Sequence, residues 1–188
     1  MNSATPGRAR PQRADAKRNY EALLAAGKSV FAQSGTQAPL EEVARRAGVG
    51  QGTLYRQFPT REHLFAAIMS ESIDLLDRTA RELLTAPDPW DALVQWLRLY
   101  DESAARYRGM TRVVAEGIAD DSSPVAVACT PMRASFGDLF DRARAAGLVR
   151  PDLTALQLFT MISALPKDPE RGTTVPPYLD VVLKGIKP

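Results

Sequence analysis

Apolar side chains recur every three or four residues along nearly the whole of this chain, and no stretch alternates apolar and polar residues as a half-buried strand would. That regularity restricts the fold to packed helices. Tyr20, Leu23, Leu24, Gly27, Val30 and Phe31 make one stripe of a helix over about residues 15–34, closed by Gly35. Pro39 stands where a first helical residue would, with Glu41 and Glu42 near the positive helix start. Leu40, Val43, Ala44 and Ala47 then give a short helix over about 39–46 its apolar face. Gly48 supplies a left-handed turn and Val49 re-enters the core. A third helix over about 50–57 buries Leu54 and Phe58, and Pro59 stops it. Thr60 caps a fourth, long helix with Leu64, Phe65, Ile68, Leu75, Leu76 and Leu83 inward.

The run Ala86-Pro87-Asp88-Pro89 punctuates the chain, and helices follow over about 89–105 and 107–119. A segment opening at 120–124 is expected to break or kink at Pro131 and to end at Gly147. A helix over 152–165, a loop over 166–177, and a last helix with Tyr178, Val181, Val182 and Ile186 as its apolar residues complete the reading. The fold class is all-α: an N-terminal three-helix helix-turn-helix head, joined by a long helix to a helical body. The division is a basic flexible arm over 1–14, a head over 15–76 with its helix-turn-helix at about 39–58, and a body over 77–188.

A chain of 188 residues, 45% of them hydrophobic, can bury a substantial core. No stretch nears the roughly 20 consecutive apolar residues of a membrane span. Arg8, Arg10 and Arg13 are followed by no apolar segment, so no signal peptide is expected and the cytoplasm is the expected location. A single cysteine, Cys129, excludes an internal disulfide framework, and a single histidine, His63, excludes paired-histidine metal sites. Neither metal nor cofactor is expected. An enzyme would have to work with carboxylates, Lys or Tyr alone, and an enzyme is not the expectation.

Charge is distributed unevenly. Residues 1–65 hold ten Lys/Arg against five Asp/Glu, a net +5, while the remainder is acidic by three. A basic third on a mildly acidic body suits a polyanion-binding head. In the third helix the apolar side is Leu54 and Phe58, and the other side carries Gln51, Thr53, Tyr55, Arg56 and Gln57. Amide and guanidinium groups match base edges bidentately, so Gln51, Thr53, Arg56 and Gln57 are candidate base-reading residues. Tyr55, Arg61, Arg13, Lys17 and Arg18 are candidate phosphate contacts. Helical hairpins in enzymes share this spacing, and spacing alone leaves a plain solvated face open.

The string from Leu40 to Phe65, LEEVARRAGVGQGTLYRQFPTREHLF, resembles the DNA-binding region of the tetracycline-repressor (TetR) family of bacterial regulators. The resemblance runs from about Lys17 to about Met69 and rests on Ala47-Gly48-Val49, Gly52-Thr53-Leu54-Tyr55, Phe58 and the Arg61-Glu62-x-Leu64 start of the fourth helix. It implies a helical dimer with a DNA-binding head and a body that binds a small effector. By resemblance, Thr53 and Tyr55 match DNA-contacting positions, and Arg61 matches a position usually held by a phosphate-binding Lys. The chain departs from the pattern at Ala38, often a capping Thr, and at Gly50, commonly Ser or Thr.

Beyond 85 no such string appears. Trp96, Tyr100, Tyr107, Met110 and Phe136 concentrate the aromatic and thioether groups of an apolar ligand pocket, although the same residues would serve as plain core. Phe136, Phe140, Leu156 and Phe159 are candidate dimer-interface residues on helices 132–147 and 152–165. Cys129, in an apolar run without adjacent cations, reads as a small buried hydrophobe rather than a redox sensor. His63 reads as an exposed helix residue, and Glu116, Asp120 and Asp121 as a solvated turn. The expectation is a homodimeric, ligand-responsive DNA-binding regulator, most simply a repressor, with operator DNA and a small-molecule effector as partners. The alternative is a non-specific nucleoid-type DNA binder without an effector.

Overall fold

The computed structural model describes residues 9–106, 113, 120–166 and 177–188, with side chains from residue 14 onward and, in the last helix, from residue 178. Among the described residues there are eight helices and no strand. They are α1 (Ala9–Ser34), α2 (Leu40–Ala47), α3 (Gln51–Gln57), α4 (Arg61–Leu83), α5 (Pro89–Ala105), α6 (Pro124–Ala145), α7 (Ala155–Ala164) and α8 (Pro177–Gly185). The expected helix over 107–119, apart from residue 113, and most of the loop over 166–177 lie outside the described residues, as do Tyr107 and Met110.

The head forms where the apolar stripes of four helices meet. Leu23, Val30 and Phe31 of α1, Leu40 and Val43 of α2, Leu54 of α3, and Leu64 and Phe65 of α4 are buried together with Phe58. α1 approaches α4 closely at Gly27, where a Cβ would lie 2.7 Å from Ile68 Cδ1. The α2–α3 turn depends on Gly48 at φ 68, a left-handed conformation costly to residues with a side chain, and Val49 N–H returns to the Ala44 carbonyl at 3.1 Å.

Several boundaries move. α1 begins at Ala9 rather than near 15, so the last residues of the expected arm are helical. Those residues are mostly good helix formers, and Pro11 falls in the first turn, where its missing N–H breaks no helical bond. No large apolar residue stands among them, and an apolar stripe therefore gave no sign of them. Pro39 and Gly50 are cap residues rather than the first residues of α2 and α3. Thr60 sits at the cap position of α4 but makes no side-chain cap bond, and its hydroxyl pairs with His63 Nδ1 at 3.0 Å.

The body packs α4 chiefly against α6, with α5 and α7 beside them. Its centre is aromatic: Trp96 stacks between Tyr100 (5.6 Å) and Phe136 (4.6 Å), and Phe159 abuts both partners. Trp96 Nε1 donates to the Leu76 carbonyl at 2.9 Å, which satisfies its one polar atom inside the core. The helix ends carry conventional caps. Asp88 accepts from the N–H groups of Trp90 and Asp91, Ser123 from that of Ala126, and Thr154 forms a capping box with Gln157.

Three expectations for the body fail. α6 runs unbroken through Pro131, so the expected break is absent; Pro131 lies on the exposed side one turn from Val127, whose carbonyl it leaves without a helical donor. Leu75 is 37% exposed: in this part of α4 the inward stripe is Ile73, Leu76 and Ala80, and Leu75 lies to its side. α8 buries Leu179 and Leu183, keeps the expected Val182 partly buried and the expected Ile186, just beyond its end, buried, and leaves Tyr178 and Val181 outside. Apolar residues form two stripes on this short helix, and packing selects the one that periodicity could not.

Candidate nucleic-acid interface

α3 is held by its apolar side. Leu54 and the adjoining Phe58 are buried, and Tyr20 of α1 packs its ring 5.3 Å from that of Phe58. The opposite side carries Gln51, Gly52, Tyr55 and Arg56 exposed, with Thr53 and Gln57 half-buried at its edges. The structure thus brings the four candidate base-reading residues onto one short, accessible helix. Arg56 folds along it, Nε donating to the Gly52 carbonyl (3.1 Å) and Nη2 to Thr53 Oγ1 (3.3 Å). Three of its five donors stay outside those two bonds.

The flanking cations differ in circumstance. Lys17 and Arg18 project from α1 into solvent, paired only along the helix, with Glu21 and Asp15. Such exposed pairs are weak and exchange readily for a phosphate. The Arg13 side chain lies outside the described residues. Arg61 is half-buried and directs Nη1 at two backbone carbonyls of the α1–α2 connection, Thr36 (2.7 Å) and Ala38 (2.6 Å). It therefore ties α4 to the entrance of α2, a task that nothing in the linear sequence indicated. Tyr55 offers its hydroxyl to Glu41 Oε1 at 3.3 Å across the α2–α3 corner. The Glu41 charge is the main cause that raises the phenol pKa above its ordinary value. An anion that takes over this hydroxyl must displace a carboxylate.

In the body the candidate pocket residues divide. Trp96 and Phe136 are fully buried and stacked on each other, so they are core first, although Phe136 also reaches an open groove of about 520 Å³ between α6 and α7. Tyr100 donates to or accepts from Ser163 at 2.7 Å and lines a small, largely buried pocket with Met69, Ile73, Cys129 and Met132. Ser103, overlooked in the sequence, also lines it, at an i, i+3 position from Tyr100 on the same stripe of α5. The interface candidates Phe136, Phe140 and Phe159 are corrected: each is 2% exposed or less within one chain and serves its core, with Phe136 and Phe159 meeting the outside only at the floor of the α6–α7 groove. Leu156 remains outside at 53% exposure, beside Met161 of α7 and Val181 of α8. Cys129 is buried, and burial pushes its thiol up to about 11. Among the described residues no helix is long and apolar enough to cross a membrane.

Comparison with known proteins places both halves. Residues 23–68 match the family model described as bacterial regulatory proteins, tetR family, and residues 88–188 match that of the transcriptional regulator SbtR-like C-terminal domain. The TetR transcriptional regulator SCO0520 of Streptomyces coelicolor is 32% identical, covering 90% of this chain and 98% of its own, with a TM-score of 0.53. A TetR regulator of Mycobacterium vanbaalenii is 30% identical over 95% of this chain and 100% of its own, with a TM-score of 0.50. The HTH-type transcriptional regulator SAR0097 of Staphylococcus aureus is 29% identical over 83 residues, a match spanning 43% of this chain and less than half (44%) of that curated relative.

A polar recognition helix on a small helical head, carried by an all-helical body, defines a helix-turn-helix DNA-binding transcriptional regulator. Within that class, the chain belongs to the TetR family.

Proposed function

We propose that the chain acts as a homodimeric repressor, released from a palindromic operator when a small apolar effector binds its body. The observation that carries the DNA half is the exposed polar face of α3, with Gln51, Thr53, Arg56 and Gln57 reading base edges. Tyr55, Lys17, Arg18, Arg13 and Arg61 hold phosphates around it, Arg61 with the donors not used on the loop carbonyls. A helix of seven residues reaches only a few base pairs, so specificity requires two heads and an inverted repeat.

The exposed apolar residues Leu156, Met161 and Val181 on α7 and α8 support dimerisation through that face. The head–body division near residue 76 falls inside α4, whose Leu64 and Phe65 serve the head core and whose Leu76 carbonyl serves Trp96. An effector that alters the seating of α4 in the body therefore alters the orientation of the head. Differential affinity of this kind is worth about 1–3 kcal/mol, or about 5–150-fold in DNA binding. The test is selection of bound DNA from a random pool. An inverted repeat supports the reading, an asymmetric site defeats the dimer geometry, and recovery without any motif favours non-specific binding.

A further inference from the structure

The small, largely buried pocket between α4, α5, α6 and α7 contains a polar atom with no counterpart. Ser103 is 5% exposed, and its Oγ has no hydrogen-bond partner, although it lines that cavity. A buried hydroxyl without a partner is costly, and native structures rarely keep one without a bound group to satisfy it. The rest of the wall is mainly apolar or polarisable, Met69, Ile73, Cys129, Met132 and Phe159 among its members; its other hydroxyls are Ser72 and Tyr100, the latter paired with Ser163, and none of its residues is Asp, Glu, Lys, Arg or His. The buried Asp101 lies outside the wall and has a partner of its own.

We propose that this cavity is the effector site, and that it takes a small neutral molecule, mainly apolar, with one hydroxyl or carbonyl that pairs with Ser103 Oγ. The proposal rests on the effector reading above and adds the site and the ligand chemistry. A charged ligand would lose its hydration against a wall that offers no counter-ion. Desolvation raises the pKa of both Tyr100 and Cys129, so the wall stays neutral at physiological pH. In this conformation the cavity, about 20 Å³, has room for one water-sized group. A larger occupant enters by swinging the Met69 and Met132 side chains, unbranched thioethers that adopt new rotamers readily. Met69 and Ile73 belong to α4, so the occupant bears on the helix that begins at Arg61 in the head.

The experiment uses the full chain labelled with 13C at its methionine methyls and four probes of similar size: benzyl alcohol, ethylbenzene, benzylammonium and benzoate. Benzyl alcohol is expected to shift the Met69 and Met132 signals and to bind more tightly than ethylbenzene, with both ions at least about tenfold weaker than the alcohol. Ser103→Ala removes an unpaired hydroxyl, so its thermal midpoint should hold or rise. Its preference for benzyl alcohol over ethylbenzene should fall by about 3- to 10-fold. Ions binding as well as the alcohol, silence at Met69 and Met132, or an unchanged preference in Ser103→Ala would each overturn the proposal. Affinity for the selected DNA is measured in parallel. Cavity binding without any change in DNA affinity keeps the neutral site and removes its effector role. Compounds that release DNA from wild type and Ser103→Ala alike, with Met69 and Met132 unshifted, keep the effector reading and refute this site.

Discussion

Arg61, in the first turn of α4, donates a hydrogen bond to the Ala38 carbonyl at 2.6 Å and a second to that of Thr36, closing the corner that leads into α2. Pro39 occupies the cap position of α2, and the helix starts without a side-chain cap. The guanidinium holds from outside a corner that has no local cap. Arg61→Ala should therefore lower the unfolding free energy by about 1–3 kcal/mol, since charge-assisted bonds to half-buried carbonyls are lost. If its remaining donors also meet phosphate, the salt dependence of DNA binding becomes shallower by about one unit. Chemical denaturation and salt-titrated binding separate the two: a stability loss with an unchanged slope would reduce Arg61 to a clamp.

Glu41 holds the Tyr55 hydroxyl on the face proposed for DNA, and its own carboxylate repels a phosphate approaching Tyr55. Glu41→Gln should tighten binding to all DNA sequences by about 2- to 5-fold at low salt, with the gain shrinking as salt screens it. The expected cost in stability is small, about 0.3–1 kcal/mol, because an acidic group leaves the first turn of α2. Weaker binding in this variant would mean that Glu41 orients Tyr55 productively.

Gly52 lies inside α3, exposed, with nothing within 4 Å of the position a Cβ would take. In the free protein Gly52→Ala should raise stability by about 0.5–1 kcal/mol through helix propensity alone. Docked in a groove, the same methyl meets DNA, and affinity should fall by about tenfold. A stabilised variant with wild-type DNA affinity would place Gly52 away from the DNA.

The stability of the body should decline at alkaline pH. Desolvation raises both Cys129, to about 11 from 9.0, and Tyr100, above 10.0, so the unfolded chain releases protons that the folded chain retains. The Cys129 contribution is whole below pH 9 and is lost between pH 9 and about 11, at up to ~1.4 kcal/mol per pH unit. Cys129→Ala should flatten that part of the pH–stability curve, as denaturation at several pH values will report. An unaltered slope would mean that the thiol ionises equally in both states.

Val181→Glu places a charge at a position 64% exposed, so the monomer fold should tolerate it. On the proposed α7–α8 interface it should abolish the dimer and operator binding together. Light scattering and DNA titration check this, and a persistent dimer would move the interface elsewhere.

Local chemistry was readable without coordinates because its causes lie a few residues apart. Gly48 had to turn left-handed between two apolar stripes, Leu54 and Phe58 had to face one way, and the polar remainder of α3 had to face the other. The head and the all-helical class follow from such short-range rules. Whether an apolar stripe covers its own core or a partner was not readable. Phe136, Phe140 and Phe159 have the spacing of an interface and are buried within one chain, whereas Val181 has the spacing of a core residue and is exposed. A hydrophobic pattern specifies that a face must be covered, not by what. The Arg61 clamp, 23 residues from Ala38, and the unpartnered Ser103 in its cavity exist only once distant helices are packed together. Burial and pairing are properties of the assembled molecule, and tertiary structure alone assigned them.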